Sequence, residues 1–279
     1  MKAGSAMKIG EKAFAWGTRT YVMGILNMTP DSFSDGGTNA DFSTAVAHAL
    51  WMVEEGADIL DIGGESTRPS HESVSAEMEL ARVIPVLEAL RGIFPQVPLS
   101  IDTSKAVVAR AAIKAGVGLI NDVWGFRRDP GMAAVAAETG VACCLMHNRI
   151  KPTYRDLLGE VCADLSESVR IAVTAGVKPE NILLDPGIGF GKTLEQNLFL
   201  LRHLDRIRAL GFPILLGTSR KSVIGLTLNL PVGERLEGTL ATTALGIAKG
   251  ADVVRVHDVR ENVRVCRMSD AILRGSRPS

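Results

Sequence analysis

The chain has 279 residues, 46% of them hydrophobic, with 31 basic and 31 acidic side chains. That length fits two small domains or one large one, such as an α/β barrel of about 250 residues. Zero formal net charge gives no global reason to expect nucleic acid or an acidic membrane surface as partner.

No apolar stretch reaches the roughly 18 residues of a membrane span. The opening "MKAGSAMKIGEKAFAWG" lacks a signal-peptide core, so the expected location is cytoplasmic, with no membrane association. Four cysteines, Cys143, Cys144, Cys162 and Cys266, follow no metal or redox spacing and read as buried reduced thiols.

Along the chain, residues 1–20 read as a short N-terminal cap or hairpin. Eight apolar runs then recur: YVMGILN (21–27), ADILDIGGEST (57–67), VPLSIDTS (97–104), VGLINDVWG (117–125), VACCLMHN (141–148), ILLDPGIGFG (182–191), FPILLGTSR (212–220) and ADVVRVHDV (251–259). Rich in β-branched residues and not alternating, they suit parallel strands covered on both faces. Segments of helical spacing lie between them. In FSTAVAHALWMVEEG, Phe42, Val46, Ala49, Leu50 and Val53 fall on one stripe, with Asp41 or Ser43 as candidate caps. SKAVVARAAIKAG and PGMAAVAAETG repeat the plan, and glycines such as Gly116 and Gly176 stand between helical run and next strand, where a left-handed cap favours them. Eight such units without a linker make one α/β domain, a (β/α)8 TIM barrel over 21–279. A doubly wound sheet would carry fewer strands and a phosphate fingerprint after the first, where ILNMTPDSF stands instead.

Barrel enzymes place their chemistry at the C-terminal ends of the strands. Those ends carry Asn27, Thr67 with Arg68, Asp102, Asn121, His147, Asp185, Lys221, and Arg255 with His257. Singly, each has a bland explanation: Asp102 and Asp185 as helix caps, Asn121 as a turn residue, Lys221 as a solvated end. Together they are a different matter. An unpaired buried charge is costly, so such a ring must be paired, solvated or bound to ligand. Asp102, Asn121 and Asp185 suit a flat heterocycle with several N–H donors, and Lys221 could donate to a ring carbonyl or nitrogen. Arg68, Arg255 and His257 supply cations for an anion near the rim. Asn27 is a neutral oxygen ligand that suits Mg2+ completing its shell with waters and substrate phosphates. Zinc fits less well, because only His147 and His257 stand at strand ends and no third soft ligand accompanies them. His48 and His203 lie in helical runs and read as structural.

The stretch LLDPGIGFGKT (183–193) imitates a nucleotide-binding phosphate loop. Pro186 stands where that pattern needs its first glycine, and proline has no N–H to offer a phosphate. The loop must serve something else.

Seven stretches, in order between about residues 17 and 265, closely resemble the dihydropteroate synthase family of folate-pathway transferases: GILNMTPDSFSDGG, DIGGESTRPS, SIDTSK, INDVWG, DPGIGFGKT, GTSRKSVIG and RVHDV. The resemblance implies condensation of 6-hydroxymethyl-7,8-dihydropterin pyrophosphate with p-aminobenzoate, giving dihydropteroate and pyrophosphate. It also implies Mg2+ and a homodimer joined through the last helices. Departure of pyrophosphate leaves a cation at the pterin methylene, which the arylamine attacks; no nucleophilic triad is needed and none is visible. Asp102, Asn121, Asp185, Lys221 and Arg255 are then the catalytic set. Pterin would be held by Thr67, Asp102, Asn121, Met146, Asp185, Phe190, Gly217, Lys221 and Arg255. Pyrophosphate would meet Asn27, Thr67, Arg68, Arg255 and His257, with Asn27 as metal ligand. p-Aminobenzoate would meet Phe33, Thr67, Pro69, Phe190, Lys221 and Ser222, the last at a helix start whose donors suit a carboxylate.

In the glycine loop, Asp185 would accept two hydrogen bonds from the guanidine-like edge of the pterin. Gly187, Gly189 and Gly191 let backbone approach, Phe190 closes over the ring, and Lys192 and Thr193 face solvent or start the next helix. One local departure follows LMH (145–147), where the family often continues with Met-Gln and a longer loop and this chain reads NRIKPTYRDLLGEV. That bears on the rim and not on the deep pocket. Two rival readings remain. A pterin-binding methyltransferase barrel would have less need of Asn27, Arg68 and the SRKS stretch, and a non-catalytic pterin-binding scaffold would lose the anion ligands. The segments after the first two runs carry Asn27 and Phe33, and Thr67, Arg68 and Pro69. Pyrophosphate with Mg2+ would draw both inward, so p-aminobenzoate should bind well only once the pterin pyrophosphate is in place.

Overall fold

A computed structural model describes residues 6–28, 37–65 and 74–275, with backbone alone at 37–41. Two antiparallel strands, β1 (Ala6–Ile9) and β2 (Lys12–Ala15), come first. Eight parallel strands follow: β3 (Tyr21–Asn27), β4 (Ile59–Gly63), β5 (Leu99–Asp102), β6 (Leu119–Asp122), β7 (Ala142–Met146), β8 (Ile182–Asp185), β9 (Leu215–Leu216) and β10 (Val253–Val256). They pair in the order β8-β7-β6-β5-β4-β3-β10-β9. The two ends of that order meet, because Leu184 bridges Ile214 and its N–H donates to Pro213 O at 2.9 Å. All eight runs of the sequence are therefore staves of one closed (β/α)8 barrel.

The ring is clothed by α1 (Gly37–Glu54), α2 (Ala76–Ile93), α3 (Ala106–Lys114), α4 (Gly131–Thr139), α5 (Leu157–Thr174), α6 (Leu194–Arg202), α7 (Leu204–Arg208), α8 (Ser222–Leu228), α9 (Leu236–Ala248) and α10 (Val259–Arg274). Their apolar stripes meet the outward faces of the strands in one continuous core that includes Leu26, Leu60, Val83, Leu87, Val108, Leu145, Leu165 and Leu184. The first helix corrects the sequence reading. It begins at Gly37, ahead of both expected caps, and among its described side chains those fully buried are Ala45, Ala49 and Met52. Leu50 faces out, since the inward stripe runs i, i+4, i+7 from Ala45 and leaves it about 100° away. Cys143, Cys144 and Cys266 are buried free thiols, and Cys162 is half-buried.

A second cluster fills the lower lumen. Phe14, Trp16, Met7 and Ile9 of the β1–β2 hairpin pack there against Tyr21, Met23, Ile59, Leu119, Cys144, Leu183, Leu215 and Val253, which point inward from the strands. The Tyr21 hydroxyl accepts from Ala15 N–H at 2.9 Å, and its ring lies 4.7 Å from that of Phe14. A Cβ on Gly118 would fall 2.3 Å from Gly10 N, so glycine there lets the hairpin turn seat against the ring. With the floor closed by apolar groups, polar lumen residues can gather only at the other end.

Candidate active site

Inward residues at, or one pleat below, the C-terminal ends of β4, β5, β6 and β10 build an ionic lattice. Arg255 of β10 donates from Nε to Asp61 Oδ2 at 2.6 Å and from Nη2 to Asp102 Oδ2 at 2.8 Å. Asn121 Nδ2 shares Asp61 Oδ2 at 3.0 Å. Two carboxylates and one guanidinium thus hold each other where water is scarce. Burial favours loss of the Arg255 proton, but Asp61 and Asp102 outweigh it and keep the guanidinium charged. Burial also pushes Asp102 up to about 7; Arg255 opposes this and Asp61 adds to it. Oδ1 of Asp102 and Oδ1 of Asp61 are buried and have no hydrogen-bond partner among the described residues. Buried acceptors of this kind call for a donor.

Asp185 ends β8 beside Met146, its register partner on β7. Its Oδ1 accepts from Gly187 N–H at 2.7 Å. Burial raises its carboxyl, and Lys221 pulls the other way. Lys221, the residue before α8, is lowered to about 8 by burial, with Asp185 countering. Its Nζ donates to Ile188 O at 2.6 Å and lies 4.6 Å from the centre of the Phe190 ring. Gly217, just past β9, turns bare backbone toward this group. The Cβ it lacks would sit 3.7 Å from Lys221 Nζ and 3.9 Å from both Asp185 Oδ2 and Arg255 Cβ. A flat polar ring suits such a set of groups, with acceptors on Asp102 and Asp185, donors on Asn121 and Lys221, and the Arg255 guanidinium beside Asp102.

The structure therefore brings together Asp102, Asn121, Met146, Asp185, Phe190, Gly217, Lys221 and Arg255. His257 lies just beyond β10, where Ser219 Oγ shares a hydrogen bond with its Nδ1 at 2.9 Å and accepts its backbone N–H at 3.1 Å. Ser222 is the first residue of α8. Phe33, Thr67, Arg68 and Pro69 lie outside the described residues. Asp61 was not among the expected residues, because it sits inside the DILDIG run and not at its end. The sequence signal that could have found it is a carboxylate one pleat below a strand end, on the same face of the sheet as Gly63.

Lys192 also departs from its expected place. It is half-buried, and its Nζ donates to His147 Nδ1 at 2.9 Å, Gly187 O at 2.8 Å and Phe190 O at 2.9 Å. Thr193 does start the next helix, as N-cap of a capping box with Gln196. Gly187 and Gly191 have φ of +68° and +54°, and a Cβ on them would fall 1.9 Å from His147 O and 2.1 Å from Arg149 O. These glycines serve close docking of the loop on the chain after β7, as well as approach of a ligand.

Asn27 ends β3 with its Oδ1 3.7 Å from the Cβ position that Gly63 lacks, next to Asp102. Among the described residues no group of three His, Cys, Asp or Glu is arranged to hold a metal ion. One neutral amide oxygen is a donor set that fits a hard ion such as Mg2+ arriving on phosphate oxygens and water, with no all-protein cage.

Residues 23–257 match the model of a family described as pterin binding enzyme. A dihydropteroate synthase of Clostridium beijerinckii is 60% identical over 269 residues, covering 96% of this chain and all of that one. Among solved structures, a dihydropteroate synthase of Clostridium difficile in the presence of pteroic acid is 53% identical with a TM-score of 0.92, covering 94% of this chain and 99% of that one. A Xanthomonas albilineans dihydropteroate synthase with 4-aminobenzoic acid is 45% identical, also at 0.92, covering 96% of this chain and 98% of that one. On matches of this length and identity, the chain belongs to the pterin binding enzyme family, among its dihydropteroate synthases.

Proposed function

We infer that the chain condenses 6-hydroxymethyl-7,8-dihydropterin pyrophosphate with p-aminobenzoate, giving 7,8-dihydropteroate and pyrophosphate for folate biosynthesis. The observation that carries this reading is the buried, unpaired Oδ1 of Asp102, in an ionic lattice that includes Asn121 and Arg255 and borders Asp185 and Lys221 around Gly217. A pterin's lactam and guanidine-like edge supply the donors that such a pocket lacks. Asp102, Asn121, Asp185 and Lys221 fix the ring, and Arg255 lies against it. As the methylene C–O bond breaks and the C–N bond to the arylamine forms, positive charge grows on the pterin. Ionised carboxylates held in a dry site stabilise that charge without reorganising.

Around this centre, Asn27, His257, Thr67 and Arg68 are proposed for the pyrophosphate, and Phe33, Pro69, Phe190 and Ser222 for the aminobenzoate. Asn27 would hold Mg2+, which supplies charge neutralisation for the departing pyrophosphate when bound. Exhaustive chelation should abolish turnover, and Mg2+ alone should restore it. Pyrophosphate release measured with and without p-aminobenzoate tests the central claim. Release that depends on the arylamine is expected; pterin binding without release would favour a methyltransferase or scaffold.

We also propose a homodimer. Leu226, Leu245, Met268 and Ile272, on α8, α9 and α10, are 63% to 69% exposed, an apolar set that a second copy would cover. Light scattering should give twice the chain mass, falling to one chain in Leu245→Glu. No helix among the described residues is long and apolar enough to cross a membrane, and the proposed location is the cytoplasm. Residues 6–20 are proposed as a floor cap and not as a separate module; residues 1–5 of that expected segment lie outside the described residues.

A further inference from the structure

We propose that Lys192, as an ammonium, is a positioning residue that locks the 185–191 loop in its pterin-accepting shape. The proposal rests on the reading of this loop as the pterin loop. Its geometric basis is an accounting of the loop's polar backbone. Lys192 Nζ serves Gly187 O and Phe190 O, Lys221 Nζ serves Ile188 O, and the Tyr154 hydroxyl serves Gly191 O at 2.8 Å. Gly189 N–H finds Asn197 Oδ1 at 2.7 Å. Among the described side chains Lys192 alone holds two points of the loop, one on each side of Gly189, and its third proton goes to His147 Nδ1 at 2.9 Å.

Three acceptors and three N–H donors match only when the amine is charged. A neutral amine has two donors and turns a lone pair toward an acceptor. The Asp164 carboxylate, with Oδ2 3.1 Å from His147 Nε2, can only accept, so Nε2 carries the proton of the neutral ring and Nδ1 accepts from Lys192. Asp164 is in turn held by Arg149 Nε at 2.7 Å. The clamp is thereby anchored to α5, away from the ligand. Burial, Lys221 and Arg149 lower the Lys192 ammonium to about 7, while Asp185 and Asp164 oppose them. His147 is lowered to about 3 by burial and Lys192, so it stays a neutral acceptor.

Lys192→Met keeps the stem and removes the donors. Calorimetry with 6-hydroxymethyl-7,8-dihydropterin should show Kd raised about 10- to 100-fold, with kcat at saturating pterin largely kept. A role confined to stability would lower the active fraction and leave Kd alone. The affinity ratio between wild type and variant should shrink as pH rises through about 7, while Asp102 titrates in both proteins. In the wild-type protein, which needs no substitution, the 15N resonance of His147 Nδ1 should report a hydrogen-bonded acceptor and move as Lys192 deprotonates. Unchanged pterin affinity in a folded variant, or a His147 resonance blind to that titration, overturns the proposal. A wild-type chain that binds no pterin at all would bring down the functional reading and this proposal with it.

Discussion

Asp102 and Asp185 end neighbouring parts of the lumen in unlike settings. Asp185 already accepts one backbone N–H and looks toward Lys221. Its replacement by Asn keeps volume and that contact but removes the charge facing the heterocycle. Asp185→Asn should raise Kd for a pterin lacking pyrophosphate roughly 10- to 100-fold with the fold intact; unchanged calorimetric affinity would place the ring elsewhere. Asp102, pushed up to about 7, becomes a double acceptor only above that pH. Pterin affinity should therefore peak close to pH 7, because Asp102 ionises at about 7 while Lys192, at about 7, and Lys221, at about 8, lose their protons, a narrow and shallow bell. In Asp102→Asn the acid limb near pH 7 should be lost, leaving only the one set by Asp185, whose carboxyl burial also raises. At this scale the sequence was informative wherever a polar residue closed an apolar run, as at Asn27, Asp102, Asn121 and Asp185. It was silent on Asp61, whose neighbours on both sides are apolar, and on Lys192, because side-chain direction after a glycine turn has no period to betray it.

Elements were legible for the same reason and illegible for another. Eight strands could be read because each is buried on both faces and so cannot alternate. Leu50 and the true start of α1 were not, since its inward stripe is made largely of alanine and the chain before Phe42 offers no apolar marker. The run at 212–220 yields only the two-residue β9, flanked by Pro213 and Gly217. The loop after β8 shows how tightly an irregular segment can be specified. Gly187→Ala would set a Cβ on His147 O in a left-handed backbone, at a cost of at least about 1–2 kcal/mol from the backbone alone. Urea denaturation should register that loss as modest, while calorimetry finds pterin binding reduced by at least about tenfold, as expected of a displaced loop. Normal pterin affinity in this variant would mean the loop tolerates displacement.

For the whole molecule, the floor and the seam set the behaviour. At the floor, Asp58 accepts from Lys12 Nζ at 3.0 Å, Arg19 Nη1 at 2.9 Å and Val22 N–H at 3.1 Å, tying the hairpin side of the barrel to β3. Burial raises its carboxyl, but Arg19, Lys12 and Val22 outweigh it, so the folded value is lowered. A lowered carboxyl contributes stability above the usual carboxylate range and loses it as pH falls through the folded value. Asp58→Asn should cost roughly 1–3 kcal/mol in urea denaturation at neutral pH, discounted because both cations are partly solvated. The difference from wild type should close below about pH 4. At the seam, the ring of strands is joined by one bridge, Leu184 to Ile214, whereas β3 and β4 align over five residue pairs. Asp185 stands immediately past one lip of that join and Gly217 just past the other. A heterocycle seated between them is thus a clasp on the weakest stave joint, and its binding energy becomes resistance to the barrel springing open. Hydrogen exchange should start at the amides of 182–185 and 214–218 in the empty protein, and pterin should slow them more than those of any other pair of strands. Protection spread evenly around the ring would mean that the joint holds without its ligand.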